Sequence, residues 1–158
     1  MANTQSMCTS FMGELLTATH NFGTAPTRAS TAADTFKGAL YLTTATLNAS
    51  TTAYSATGEV SGTGYTAGGV TVTNATAPTS SNTSTTAGVA YWTPSASLTY
   101  TTVTLSTAFD TVLIYNSSQS NKAVSVHTFG SQTVTAGTFT LTMPTNNTTN
   151  ALIRLSTT

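Results

Sequence analysis

The residues best suited to chemistry are few and far apart. Gly62-x-Gly64-x-x-Ala67 fits the glycine spacing of a dinucleotide fingerprint. That spacing works where it follows a strand and opens a helix, whose first amides then hold a pyrophosphate. Here the next residues, Val70-Thr71-Val72-Thr73, alternate with a strand's period of two. The acidic residue required about twenty positions later is missing as well. The glycines predict instead a tight, positive-φ connection packed closely on neighbouring backbone. His20 and His127 are the only histidines, and no His-x-x-x-His spacing of a metal site occurs. A hydrolytic triad would need an acid to orient its histidine; Asp34 and Asp110 are available, but nothing singles them out. The four acids are scattered singly, which disfavours the paired carboxylates of a glycosidase. Cys8, the only cysteine, cannot form an intrachain disulfide and reads as a small buried hydrophobe. The expectation is a non-enzyme with no catalytic residue, cofactor or metal.

Charge narrows the partners. Glu14, Asp34, Glu59 and Asp110 balance Arg28, Lys37, Lys122 and Arg154, leaving formal net charge +0 and only 5% charged residues. No cationic cluster exists to neutralise phosphates or anionic lipid, so neither nucleic acid nor membrane is an expected partner. A chain without self-repulsion suits a fixed place in an assembly. Lys37 and Glu59, the charges in the two most patterned segments, could pair.

The elements that must carry these residues are strands. Threonine supplies about a quarter of the 158 residues, and its β-branched side chain favours a pleated strand over a helix. Ser10 to His20 is the one helix candidate, with Phe11, Leu15 and Ala18 on one stripe and Ser10 as cap. It is too short to stand alone in water. Residues 21–33, with Gly23 and Pro26, read as a linker. Strands follow at Phe36–Thr43, Val70–Thr73, Gly88–Thr93, Leu98–Leu105, Val112–Tyr115 and Ala123–Phe129. A hairpin over Thr133–Met143, turning at Ala136-Gly137, and Leu152–Leu155 close the chain. In the last, Ile153 and Leu155 are expected inward. Leu98 and Tyr100 share one face and Val103 and Leu105 the other, which predicts a β-bulge near Thr101. Pro78–Thr86 reads as a polar loop, and no fixed repeat is apparent. About eight short strands without helices between them predict an all-β, antiparallel β-sandwich, jelly-roll-like, with a short N-terminal helix. The expected organisation is an N-terminal helix and linker at 1–33 and a β-sandwich domain at 34–158.

Three runs carry a resemblance: Phe36-Lys37-x-Ala39-Leu40-Tyr41; Tyr54-x-x-x-Gly58-Glu59-Val60-x-Gly62-x-Gly64-Tyr65-x-x-Gly68-Gly69; and Leu113-Ile114-Tyr115-Asn116. Together with the helix Phe11 to Leu16 and the nearby His20 and Phe22, they resemble small virion proteins of tailed bacteriophages. The likeness spans most of the chain except Ala77 to Thr107. It implies a structural protein of the particle and brings no catalytic or cofactor residue with it. Within that frame the expectation is a capsid cement or decoration protein at the capsid surface. Its partners would be itself, as a dimer or trimer, and the major capsid protein. A tail, neck or fibre-associated component is the alternative, and a sugar-binding receptor-recognition module a further one. Phe11, Leu15, Leu16, Tyr54, Glu59 and Tyr65 are the expected assembly contacts, the first three because Gly23 and Pro26 would let the helix leave the sandwich.

Overall fold

The computed structural model describes residues 3–16, 19–22, 33–74, 77–81 and 88–156, with residues 12, 13 and 16 described by their backbone alone. The chain is all-β, as its threonine content implies. In order the elements are β1 (Ser6–Met7), α1 (Thr9–Leu16), β2 (Phe36–Leu42), β3 (Val70–Thr71), β4 (Thr79–Ser81), β5 (Val89–Trp92), β6 (Leu98–Asn116), β7 (Lys122–Leu141) and β8 (Ile153–Ser156). They form a five-stranded sheet, β1-β7-β6-β2-β3, and a three-stranded sheet, β4-β5-β8. Every described register is antiparallel.

The chain packs as two compact units. One comprises Met1–His20, Asp34–Val72 and Leu98–Thr140; the other comprises Asn21–Ala33, Thr73–Ser97 and Leu141–Thr158. This differs from an appendage at 1–33 followed by one domain at 34–158, because the first twenty residues are built into the first unit. The Asn3 amide donates to the Leu42 carbonyl at 3.2 Å and to Asp110 Oδ1 at 3.0 Å, while its oxygen accepts the Leu47 amide at 2.9 Å. Ser6 and Met7 pair with Val126 and Ser125 at the outer edge of β7. The helix then starts at Thr9, one residue before the expected cap, and buries Phe11 completely.

Two strands are much longer than the sequence pattern suggests. The segments expected as separate strands at Leu98–Leu105 and Val112–Tyr115 merge into β6, and the expected hairpin at Thr133–Met143 is the end of β7 up to Leu141. A short turn, 117–121, joins these sheet neighbours, so they run antiparallel. Ser120 and Asn121 take the left-handed conformation there, at φ 53° and 59°. The resulting ribbon is folded over. Phe139 lies 5.4 Å from Phe129 by ring centroid, although ten residues of straight strand would hold them roughly 33 Å apart. The same ring lies 5.0 Å from Phe109 and 6.0 Å from Tyr100, which are themselves nine positions apart on β6. The bend falls between these aromatics, where Ser106, Thr107, Gly130, Ser131 and Gln132 are exposed.

Folding the ribbon over lays the first half of β6 across β2. Tyr100 Oη donates to the Gly38 carbonyl at 2.8 Å, and a Cβ at Gly38 would stand 2.6 Å from Leu98 Cδ1. The expected irregularity is present: Thr102 has φ 54°, and beyond it Val103 and Leu105 are as buried as Leu98 and Tyr100 before it. The extra residue restores the face that simple alternation would have lost. Ala136 (φ 45°) is the matching irregularity in β7 rather than a hairpin turn, and its amide donates to Thr104 Oγ1 at 3.0 Å. Residues 111–116 are buried on both faces, which accounts for their unbroken apolar run.

In the second unit, Trp92 packs on Phe22 at 4.7 Å between ring centroids, and Ile153 is buried opposite it in the β5–β8 register. Leu155, expected inward, is 39% exposed, because its partner is the small, exposed Ala90 and offers nothing to bury against. Thr79–Ser81, expected within a loop, pairs with β5 instead; residues 82–87 of that loop lie outside the described residues.

The glycine segment behaves as its spacing predicts. Gly64 (φ 78°) sets its α-carbon against the Thr102 carbonyl, where a Cβ would approach within 2.1 Å. Gly69 (φ 73°) approaches the Gly38 carbonyl so closely that a Cβ would stand 1.7 Å from it. Gly69→Ala is therefore expected to cost more than about 2 kcal/mol, since strain and collision add. Gly130→Ala, with open space around it, should change stability by less than about 1 kcal/mol. Urea denaturation of the two variants checks the contrast; equal midpoints would refute it.

Candidate functional site

Two polar clusters gather three of the four acids and one of the two histidines, and both lie in the first unit. The first is centred on Glu59. The isolated bridge Tyr41↔Glu59 and the hydrogen bond from the Val60 amide to the Leu40 carbonyl (3.0 Å) place this residue beside β2. Tyr54 Oη donates to Glu59 Oε2 at 2.6 Å; Tyr65 Oη and the Gly68 amide both donate to Oε1 at 2.7 Å. The Leu40 amide donates to the Tyr65 hydroxyl at 3.0 Å, and Tyr115 Oη donates to the Gly68 carbonyl at 2.8 Å. Burial, then the neighbouring Glu59 carboxylate, pushes the Tyr54 and Tyr65 phenols far above their ordinary range. They stay protonated and donate to Glu59, and the Tyr65 oxygen also accepts the Leu40 amide. Lys37 does not reach this carboxylate: among the described residues the ion pairs all involve Glu14. The negative charge is met by hydroxyls and an amide, not by a cation.

The second cluster joins the helix to the β6–β7 turn. Lys122 Nζ donates to Glu14 Oε1 at 2.6 Å, and His20 Nε2 lies 2.7 Å from Glu14 Oε2. The Asn116 amide group stands 3.1 Å from His20 Nδ1 and donates to Asp34 Oδ2 at 2.8 Å; Gln119 Nε2 reaches Asp34 Oδ1 at 3.3 Å. Asn116 Nδ2 can only donate, so His20 Nδ1 accepts and Nε2 carries the proton to Glu14. Burial lowers the His20 pKa against the opposing pull of Glu14, leaving the ring neutral. Glu14 is raised by burial but held below its usual range overall by the Lys122 and His20 hydrogen bonds. Both nitrogens of His20 are thus engaged internally, and neither is left to take a proton from a substrate.

His127 has the remaining hydroxyl partner, Ser125 Oγ at 2.8 Å from Nε2. Ser125 is buried, and none of the carboxylate contacts described above reaches the His127 ring. Burial alone lowers the His127 pKa to about 4. Burial, with Glu14 nearby, raises the Cys8 thiol to about 11, which makes it a poor nucleophile. Among the described residues no group of three His, Cys, Asp or Glu could hold a metal.

No protein-family model, curated protein or solved structure matches this chain. The site therefore stands on its own geometry.

Of the expected assembly contacts, Tyr54, Glu59 and Tyr65 do come together, but as an internal clamp. Phe11 is fully buried within the first unit, 4.9 Å from the His20 ring by centroid, so it cannot present itself to another subunit in this fold. Leu15 is half-buried, and the Leu16 side chain lies outside the described residues. Sequence reasoning missed Asn116, which donates in the middle of the second cluster; its signal was a polar residue ending the apolar run Val112–Tyr115. Of the aromatics that a sugar could stack on, Trp92, Tyr100 and Tyr115 are buried and Tyr54, Tyr65 and Tyr91 half-buried. A hydroxyl-rich groove runs past Thr44, Thr46, Ser50, Thr51 and Thr57, yet its one ring, Tyr41, is buried and bonded to the Ser55 carbonyl.

Two outcomes follow. Deleting residues 1–22 is expected to abolish folding, because it removes β1, the Asn3 contacts, Phe11 and His20 together; a truncated chain with a cooperative thermal transition would contradict this. Folded His20 and His127 both titrate below the unfolded value of about 6.5. The unfolded chain then binds more protons below that pH, so stability is full above it and falls as pH drops toward about 4. Part of the His127 ring stays accessible, so its share is about 2 kcal/mol. Urea midpoints between pH 7 and 5 should fall less steeply for His127→Gln than for the parent; identical slopes would exclude the effect.

Proposed function

We infer that this chain is a non-enzymatic structural protein of a tailed-bacteriophage virion, acting as a capsid cement or decoration protein that bridges capsomers. The observation that carries the non-catalytic reading is the internal engagement of the chemistry-bearing side chains. Glu14, His20, Asp34 and Glu59 all bond to partners within the first unit. Such groups brace a scaffold. The particle assignment rests on the resemblance carried by the Phe36–Tyr41, Tyr54–Gly69 and Leu113–Asn116 runs, two of which supply the Glu59 clamp and its Tyr115 anchor. A chain of zero formal charge fits contacts that are individually weak and multiplied by symmetry.

A tail, neck or fibre-associated component makes the same demands on the fold, and copy number separates the two. The sugar-binding alternative is weakened by the absence, among the described residues, of any aromatic ring counted as exposed; Leu155 is the exposed large hydrophobic side chain. Mass spectrometry and cryo-EM of purified particles provide the test. The expected result is on the order of hundreds of copies at symmetric capsid positions, with particles lacking the protein losing their genome at lower temperature. A dozen copies or fewer at the neck or tail would move the assignment there. Absence from particles would end it.

A further inference from the structure

The outer edge of β7 is covered over only part of its length. Residues 52–53 cover its start, through the Ala53↔Lys122 bridge and the bond from the Ala123 amide to the Thr52 carbonyl at 3.0 Å. Cys8 follows, its amide donating to the Val124 carbonyl at 3.0 Å, and β1 pairs with Ser125 and Val126. From His127 to Leu141 no strand or bridge partner occupies that side among the described residues. An edge of this length presents a row of backbone donors and acceptors that can template pairing with another chain.

Proteins ordinarily blunt such edges with charge, proline or brevity. This one uses none of the three. Residues 123–153 contain no charged side chain, and no proline occurs between Pro94 and Pro144. The positive φ at Ala136 (45°) kinks the edge without capping it. Its side chains are sorted by face. Thr133, Thr135, Thr138 and Thr140 are exposed, whereas Val134, Phe139 and Leu141 remain half-buried.

We propose that the β7 edge from Ser131 to Leu141 is a self-pairing surface that takes the same edge of a second copy, antiparallel about a two-fold axis. Antiparallel pairing of identical edges sets threonine beside threonine on one face and continues the half-buried apolar row on the other, both favourable cross-strand arrangements. With no charge on either edge, nothing repels the identical partner, which is the usual defence against self-association. The threonine row carries no feature that would select a different chain over a copy. This surface does not depend on the virion assignment.

The test uses the full chain. Analytical ultracentrifugation over a concentration series is expected to show reversible dimers. The triple variant Thr135→Lys, Thr138→Lys, Thr140→Lys, whose substitutions fall on exposed positions, should keep its circular dichroism and weaken association at least about 100-fold through like-charge contact. Amide exchange of the parent should show protection of residues 131–141 that rises with concentration. A parent that stays monomeric throughout, or a folded lysine variant that associates unchanged, overturns the proposal. Should the variant fail to fold, the exchange measurement decides alone, and protection independent of concentration overturns the proposal.

Discussion

A half-buried carboxylate needs hydrogen-bond partners, and at Glu59 they are supplied without a cation. Two phenols and one backbone amide converge on it within 2.7 Å, and hydrogen bonds to a charged acceptor each contribute about 1.5–3 kcal/mol. The geometry of the surrounding segment follows from this demand. For the Gly68 amide to reach Oε1, the chain must turn at Gly68 and Gly69 and press its backbone onto Gly38. For Tyr65 to reach the same oxygen, the chain must first cross the β6 strand at Gly64. The loop from Gly58 to Gly69 thereby ties β2 to the folded-over half of β6, through the Tyr41↔Glu59 bridge near its start and the Thr63↔Thr104 bridge at its middle. A lysine at this carboxylate would have left the loop free to hang on one flexible side chain. Tyrosines, rigid and held protonated by burial and the adjacent carboxylate, fix it.

The second polar cluster solves a related problem beside the β6–β7 turn. An eight-residue helix has no stability of its own, and threonine-rich strands offer it little apolar surface. Phe11 supplies the packing, and the Glu14–His20–Asn116–Asp34 chain supplies direction, since each link accepts its neighbour only in one orientation. Because the chain is satisfied internally, it stabilises without creating a reactive centre. The same arrangement makes the fold sensitive to acid, as neutral buried imidazoles are lost when the unfolded chain can protonate.

Surface and interior thus use opposite strategies. The few charged carboxylates are held by the fold, while the long β7 edge carries threonine and no charge. A monomer exposing such an edge would be at risk of uncontrolled pairing. For a component that functions in contact with copies of itself, the same edge is a means of joining.

The sequence by itself determined the local conformations: strands from β-branched residues, a bulge from the change of face around Thr101, positive φ at Gly64 and Gly69. Each of these is set by a residue's own sterics or by the alternation of its neighbours, so no distant contact is needed to read it. Only the tertiary structure decided that β6 and β7 are single ribbons folded over, because the bend at Ser106–Thr107 and Gly130–Gln132 is written in ordinary polar residues that look like strand ends. It also decided that Phe11 packs inward, as an apolar stripe states that a helix face is covered but not by what. The Glu59 clamp lay between the two. Its members were visible as a patterned run, but their convergence depends on the strand register that brings Leu40, Tyr65 and Tyr115 to one place, and register is a property of paired strands rather than of either alone.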